Sequence, residues 1–167
     1  DEVGVFKMEE RGLREISAEE VSLIDSKVAQ IGSVLTVVMK GSRPLVLEIQ
    51  ALVTESFSNI PKRVFSGIDF NRGQLLAAVT QKVLGIPLYK YDIFVMVSGG
   101  VRVNDPGADL AIVAAMYSSY KNKKLETRNK KQESVGPVLI GEVSLLGKVK
   151  KVRGEERRIK EIKKNPK

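Results

Sequence analysis

From Ser33 onward the chain alternates between stretches apolar at every second position and stretches apolar at every third or fourth. "SVLTVVMK" (33–40) and "PLVLEIQALV" (44–53) are β-rich runs flanking Gly41-Ser42, a Gly-X pair suited to a two-residue hairpin turn. In the second run Leu45, Leu47, Ile49, Ala51 and Val53 fall on one face and Glu48 and Gln50 on the other, which predicts a half-buried strand. "RVFSGI" (63–68) predicts a short third strand. Helical spacing takes over in "DFNRGQLLAAVTQKVLGIP" (69–87): Asp69 is placed to cap, Leu75, Leu76, Val79 and Val83 mark an apolar stripe, and Gly85 and Pro87 end it. "DIFVMVSGG" (92–100) predicts an apolar central strand, and the helix from Pro106 to about Tyr120 is apolar on nearly every side, as a deeply buried helix is. A basic loop without periodicity (121–136) follows. "GPVLIGEVSLLGKVKKV" then holds one or two strands, and "GEERRIKEIKKN" a short helix, acidic first and basic last as its dipole favours. At the other end, Val3, Val5, Phe6 and Met8 read as the end of a strand, and the polar "EERGLREISAEE" as a connector. A three-stranded β-meander followed by alternating helices and strands predicts an α+β domain of mixed α/β layers.

At 167 residues and 43% hydrophobic, the chain is long enough for one ordinary core. It has no Cys and no His, so thiol nucleophiles, disulfides and the commonest general base and metal ligand are excluded. No G-x-x-x-x-G-K-[ST] occurs. The charged "DEVGVFKMEERG" is unlike a signal peptide, and no run approaches the roughly 18 apolar residues of a membrane span. A start without Met, inside what looks like a strand, predicts a fragment of a longer protein.

Charge divides the chain sharply. Residues 1–120 carry 12 Lys and Arg against 14 Asp and Glu, a net of −2, whereas residues 121–167 carry 16 against 6, a net of +10. Such a split predicts an acidic partner, nucleic acid first, although basic loops and helices can also be merely solvated.

The candidate chemistry centres on "SGGVRVNDPGADLAIVAAM" (98–116), a glycine-rich turn leading through Asp105-Pro106 into an apolar helix. That layout often presents a nucleophile at a helix N-terminus, yet the position for a hydroxyl holds Gly107. Ser98, Ser118 and Ser119 have no evident base beside them, and Asp105 with Glu142 reads as capping and solvated rather than as a paired acid and base. Arg72, in the helix-opening "DFNRG", is equally suited to a neighbouring subunit or a phosphate and to a locally exposed position.

"DEVGVFKMEERGLREI", "GSRPLVLEIQALV", "RVFSGIDFNRGQLLAAV", "FVMVSGGVRVNDPGADLAI" and "GEVSLLGKVKKVRGEERRIKE" together closely resemble the C-terminal part of the bacterial RadA (Sms) family. The resemblance implies a cytoplasmic DNA-repair ATPase of recombination, with an N-terminal zinc finger, a RecA-like motor and a C-terminal domain similar to the Lon peptidase domain. ATP, Mg²⁺ and Zn²⁺ belong to that longer parent, and none is expected in this piece. Residues 1–25 then correspond to the end of the motor and a connector, and 26–167 to the Lon-like domain, truncated at "KKNPK". Active Lon-type peptidases carry "DGPSAG" and a later Lys. The resemblance sets Gly107 at the Ser position, Asp109 at the last Gly and Arg158 at the Lys position. Gly has no nucleophile, and Arg cannot serve as a base near neutral pH. A residual Ser-Lys peptidase is therefore disfavoured.

The resulting expectation is a non-catalytic Lon-like module that supports a homohexameric ring and binds double-stranded or branched DNA. The alternative is a pure oligomerisation or protein-docking collar, with a recombinase as one partner. Basic candidates for DNA contact are Lys148, Lys150, Lys151, Arg153, Arg157 and Arg158, with Lys123, Lys124, Lys130 and Lys131 on the loop, and Arg72 is the interface candidate. No membrane contact is expected.

Overall fold

The computed structural model describes the strands at 6–9 and 12–15 and residues 30–125 and 137–164. Among these residues it is an α+β domain built on a four-stranded sheet. Strand β1 (Phe6–Glu9) pairs antiparallel with β2 (Gly12–Glu15). The segment expected as a polar connector thus contributes a strand of its own, Gly12–Glu15.

The main sheet begins with β3 (Ser33–Lys40) and β4 (Arg43–Glu55), joined at Gly41, whose φ of 61° suits a two-residue turn. Next come β5 (Arg63–Ser66), helix α1 (Phe70–Leu84) and β6 (Tyr91–Val97). The order is β3-β4-β6-β5, with β5 parallel to β6 and the other pairs antiparallel. This corrects the expected three-stranded meander: β5 does not pair with β4. Parallel strands need a crossover, which α1 supplies, and β6 takes the central place between β4 and β5. Helix α2 (Asp109–Lys121) follows a single 3₁₀ turn at Pro106–Ala108. The chain closes with the two-residue strands β7 (Glu142–Val143) and β8 (Val149–Lys150) and helix α3 (Glu155–Lys164).

The core lies between one sheet face and the helices α1 and α2. Val34, Leu47, Ile49, Ile93, Val95 and Val97 meet Ala111, Ile112, Ala115 and Met116 of α2. Ala111 and Ala115, one turn apart and fully buried, let α2 lie close to the sheet. In α1 the buried face runs through Gly73, Leu76, Ala77, Val79 and Thr80, while Leu75 and Val83 of the expected stripe are exposed. The stripe is rotated because the Phe65 ring of β5 sits against Gly73, where no side chain fits.

Serines sew the helix ends to the sheet. Ser118 Oγ accepts from Gly32 N (2.9 Å), and Ser119 Oγ accepts from Val53 N (2.9 Å), so both of these hydroxyls serve structure. Glu48, expected on a solvated face, is fully buried and accepts from Ser33 Oγ (2.5 Å) and Ser98 Oγ (3.3 Å). Alternation placed it correctly opposite Leu47 and Ile49; what period 2 cannot tell is that this second face is covered as well.

Gly32 tests this geometry. Its φ is 77°, and a β-carbon there would lie 2.3 Å from the Ala51 carbonyl oxygen. Gly32→Ala should lower stability by more than about 1 kcal/mol, measured by urea unfolding, because the backbone itself must move. Unchanged stability would mean that β3 and β4 do not approach as closely as described.

Candidate functional site

The site is assembled on the open edge of β3. Along that edge the first half is closed by backbone: Leu35 N donates to Pro137 O (3.0 Å), and Leu139 N donates to Leu35 O (2.8 Å). The second half is closed by side chains. Met39 N donates to Asp105 Oδ2 (2.5 Å), and Arg158 Nη1 donates to Val37 O (2.5 Å). Unpaired edge groups are thereby satisfied within the chain.

Asp105 is the N-cap expected from sequence, accepting from Gly107 N (2.8 Å). Its other oxygen is shared between Met39 N and Arg158 Nη2 (2.7 Å). Arg158 comes from α3 and is 2% exposed, and its Nε donates to the Arg153 carbonyl (3.2 Å). The structure thus brings Gly107 and Arg158 together. A β-carbon at Gly107 would lie 2.7 Å from Nη1 of Arg158 and 3.0 Å from Oδ1 of Asp105, so a docked guanidinium leaves room for glycine only.

A second ion pair lies one turn along. Asp109, 2% exposed, receives both Nε (2.9 Å) and Nη2 of Arg72 and also accepts from Val143 N (3.0 Å). This ties α1, α2 and β7 together. The Asp109 hydrogen bond raises the pKa of the Arg72 guanidinium, whereas burial outweighs pairing at Asp109 and pushes its carboxyl above the usual carboxylate range. Arg72, considered for a subunit interface, has its guanidinium committed to Asp109.

Beside the first pair opens a cleft of about 1,030 Å³. Its lining carries six cations, Lys40, Arg102, Lys151, Arg153, Arg157 and Arg158, against two carboxylates, Asp105 and Glu142. With Arg158 and Asp105 neutralising each other, five exposed cations face one acid. The Lys151–Glu155 pair at 3.9 Å is solvent-exposed and holds Lys151 only weakly. Such a rim can bind phosphates through charge.

Each basic candidate has a definite place. Lys151, Arg153 and Arg157 line the cleft, while Lys148 and Lys150 are exposed in and beside β8. Arg158 differs from the others: its guanidinium is 2% exposed and bonded to Asp105, Val37 and Arg153. Lys123 and Lys124 are exposed past the C-terminal end of α2, about 20 Å of helix away from the cleft. Lys130 and Lys131 lie outside the described residues. Lys40 and Arg102 escaped sequence reasoning because both lie within residues 1–120, the stretch with net negative charge. The folding of β3 and the 101–105 turn against α3 brings them to one cleft.

No family model matches the chain. It is 42% identical over 163 residues to the DNA repair protein RadA of Helicobacter pylori (strain J99 / ATCC 700824), covering 96% of this chain and 34% of that protein. The RadA of Campylobacter jejuni is 46% identical over 165 residues, 98% of this chain and 34% of that protein. That of Bacillus subtilis is 38% identical over 162 residues, 96% and 34% respectively. The chain is homologous to bacterial RadA and spans about a third of the length of these relatives.

Two outcomes follow from the paired carboxylates. Gly107→Ser should lower stability by about 1–3 kcal/mol by crowding the guanidinium. Most of that cost should vanish in an Arg158→Ala background, as read by a double-mutant cycle; equal costs in both backgrounds would separate the two positions. As for pH, a raised Asp109 pKa means the folded state binds that proton more tightly than the unfolded chain. Stability therefore falls as pH rises from the ordinary carboxylate pKa to the raised one. Urea unfolding between pH 4 and pH 7 should show this falling contribution in the parent and lose it in Asp109→Asn. A contribution that grows with pH would mean that pairing with Arg72 outweighs burial.

Proposed function

We propose that this chain is a non-catalytic, Lon-like C-terminal module of a RadA-type DNA-repair ATPase, and that its cleft binds the phosphates of duplex DNA without reading sequence. The observation carrying the proposal is the rim of five exposed cations set around a spot where Gly107 and a buried Arg158 leave neither nucleophile nor base. Homology over nearly the whole chain to proteins named for DNA repair supports the partner class. In the longer protein, ATP and Mg²⁺ at the motor and Zn²⁺ at the finger belong elsewhere, and the module adds phosphate contacts from each copy of a cytoplasmic hexameric ring during homologous recombination and branch migration. A few contacts per copy bind weakly; linked copies in a ring raise the effective affinity. Among the described residues the cleft lining holds no aromatic side chain, which favours duplex backbone over stacked single strands. Among the described residues no helix is long and apolar enough to cross a membrane.

A second reading, a collar that docks subunits or a recombinase without touching DNA, is favoured by exposed apolar side chains away from the cleft. Leu145 and Leu146 protrude from the β7–β8 turn with 70% and 82% of their surface exposed, a cost that a protein contact would offset.

Salt-dependent duplex binding separates the two. Arg153→Ala with Arg157→Ala, and independently Lys40→Ala with Arg102→Ala, should each weaken binding to all duplexes alike. Each pair should flatten the slope of log K against log salt by roughly 1.8, at roughly 0.9 per phosphate contact. Unchanged affinity and slope in both pairs, with circular dichroism intact, would remove DNA from the cleft and leave the collar.

A further inference from the structure

We propose that Arg158 is a positioning residue for the cleft: its buried guanidinium holds the rim cations in one constellation and itself touches no phosphate. This rests on the nucleic-acid reading above. Each of its three donating nitrogens is aimed at a different segment. Nε holds the Arg153 carbonyl, Nη1 the Val37 carbonyl and Nη2 the Asp105 carboxylate. Every one of those contacts lies within three residues of an exposed rim cation. Arg153 is itself on the rim, Val37 precedes Lys40 by three residues, and Asp105 follows Arg102 by three. Arg157, the neighbour of Arg158 on α3, faces solvent while Arg158 faces inward. One planar group therefore sets the spacing of cations contributed by three separate pieces of chain.

The rest of α3 cannot do this alone. It spans ten residues, "EERRIKEIKK", with two apolar side chains, and Ile159 is 42% exposed. So short a helix is not stable on its own in water. Its apolar face is too small to dock it firmly, which leaves the Arg158 clasp as the main anchor. Gly107 belongs to the same device, since any side chain there would displace the guanidinium. Lysine in place of Arg158 keeps the charge and loses the planar fork that satisfies three acceptors in fixed directions. A pre-set constellation binds phosphates without first ordering its cations, and a loosened one must order them on binding.

The test uses the whole chain and a fluorescent 25-base-pair duplex of arbitrary sequence, titrated across a salt series. It compares Arg158→Lys, Asp105→Asn and the Arg153→Ala/Arg157→Ala double variant with the parent, and hydrogen exchange is followed in the absence of DNA. Positioning predicts that Arg158→Lys, which removes no charge, weakens binding about tenfold or more. It also predicts that the salt slope flattens by more than the roughly 0.9 that one phosphate contact accounts for. Amides of residues 154–163 should exchange faster while those of β4 and β6 stay protected. Asp105→Asn, which leaves Arg158 intact and removes its anion, should act in the same direction, and it decides the matter if the lysine variant does not fold. Parental affinity and slope in a variant whose α3 amides exchange faster would overturn the inference, because the rim would then work without being held. If instead the Arg153→Ala/Arg157→Ala reference binds like the parent, the nucleic-acid reading of the rim fails first and takes this inference with it.

Discussion

Asp105 and Asp109 stand one helical turn apart at the entrance to α2, and each holds an arginine that arrives from a different helix. Arg158 comes from α3 to Asp105, and Arg72 from α1 to Asp109. Both carboxylates also accept backbone hydrogens from strands, Met39 N of β3 and Val143 N of β7. Remove Asp105, and the Arg158 guanidinium is left facing the Val37 and Arg153 carbonyls alone in a place water hardly reaches; remove Asp109, and the part-exposed Arg72 loses the carboxylate that ties α1 to α2. Breaking a buried pair from one side costs about 3–5 kcal/mol for full burial, a large part of a small domain's stability. The entrance to α2 is therefore where helices, sheet edge and cleft are brought into one arrangement.

The arrangement also accounts for the chemistry that the site lacks. A helix N-terminus after a glycine-rich turn is a favourable place for a nucleophile, since its free N–H groups stabilise negative charge. Here that advantage serves carboxylates that belong to the chain. The volume a side chain at Gly107 would need is filled by Arg158, so glycine at one position and arginine at the other are a single structural solution. What stays available to a ligand is the outer ring of charge: Lys40, Arg102, Lys151, Arg153 and Arg157, largely unopposed and facing the solvent.

Local patterns made much of the frame legible. The Gly41 hairpin, the Asp69 and Asp105 caps, the Gly85 stop and the buried α2 all rest on residues within a few positions of one another. What escaped depended on partners distant in sequence. The parallel pairing of β5 with β6 is not written in "RVFSGI" itself, because four residues of strand carry no record of which neighbour they join. The burial of Glu48 depends on what covers the second face of β4, and that of Arg158 on a strand edge 121 residues earlier. Arginine in a charged "EERR" reads as solvated, and the distant Val37 carbonyl and Asp105 carboxylate explain why it is not. The charge split pointed toward the C-terminal segment, which supplies part of the cleft lining. It named three of the rim cations, Lys151, Arg153 and Arg157, and missed Lys40 and Arg102 because folding, not proximity along the chain, collects them.

The proposed cleft places phosphates at the N-terminal end of α2 and not at its other end. Lysine footprinting by reductive methylation, with and without a saturating duplex, reads that location directly. DNA should shield Lys40 and Lys151, while Lys123 and Lys124, past the far end of α2, are modified as fast as in the free protein. Shielding of Lys123 and Lys124 with Lys40 and Lys151 left reactive would contradict it.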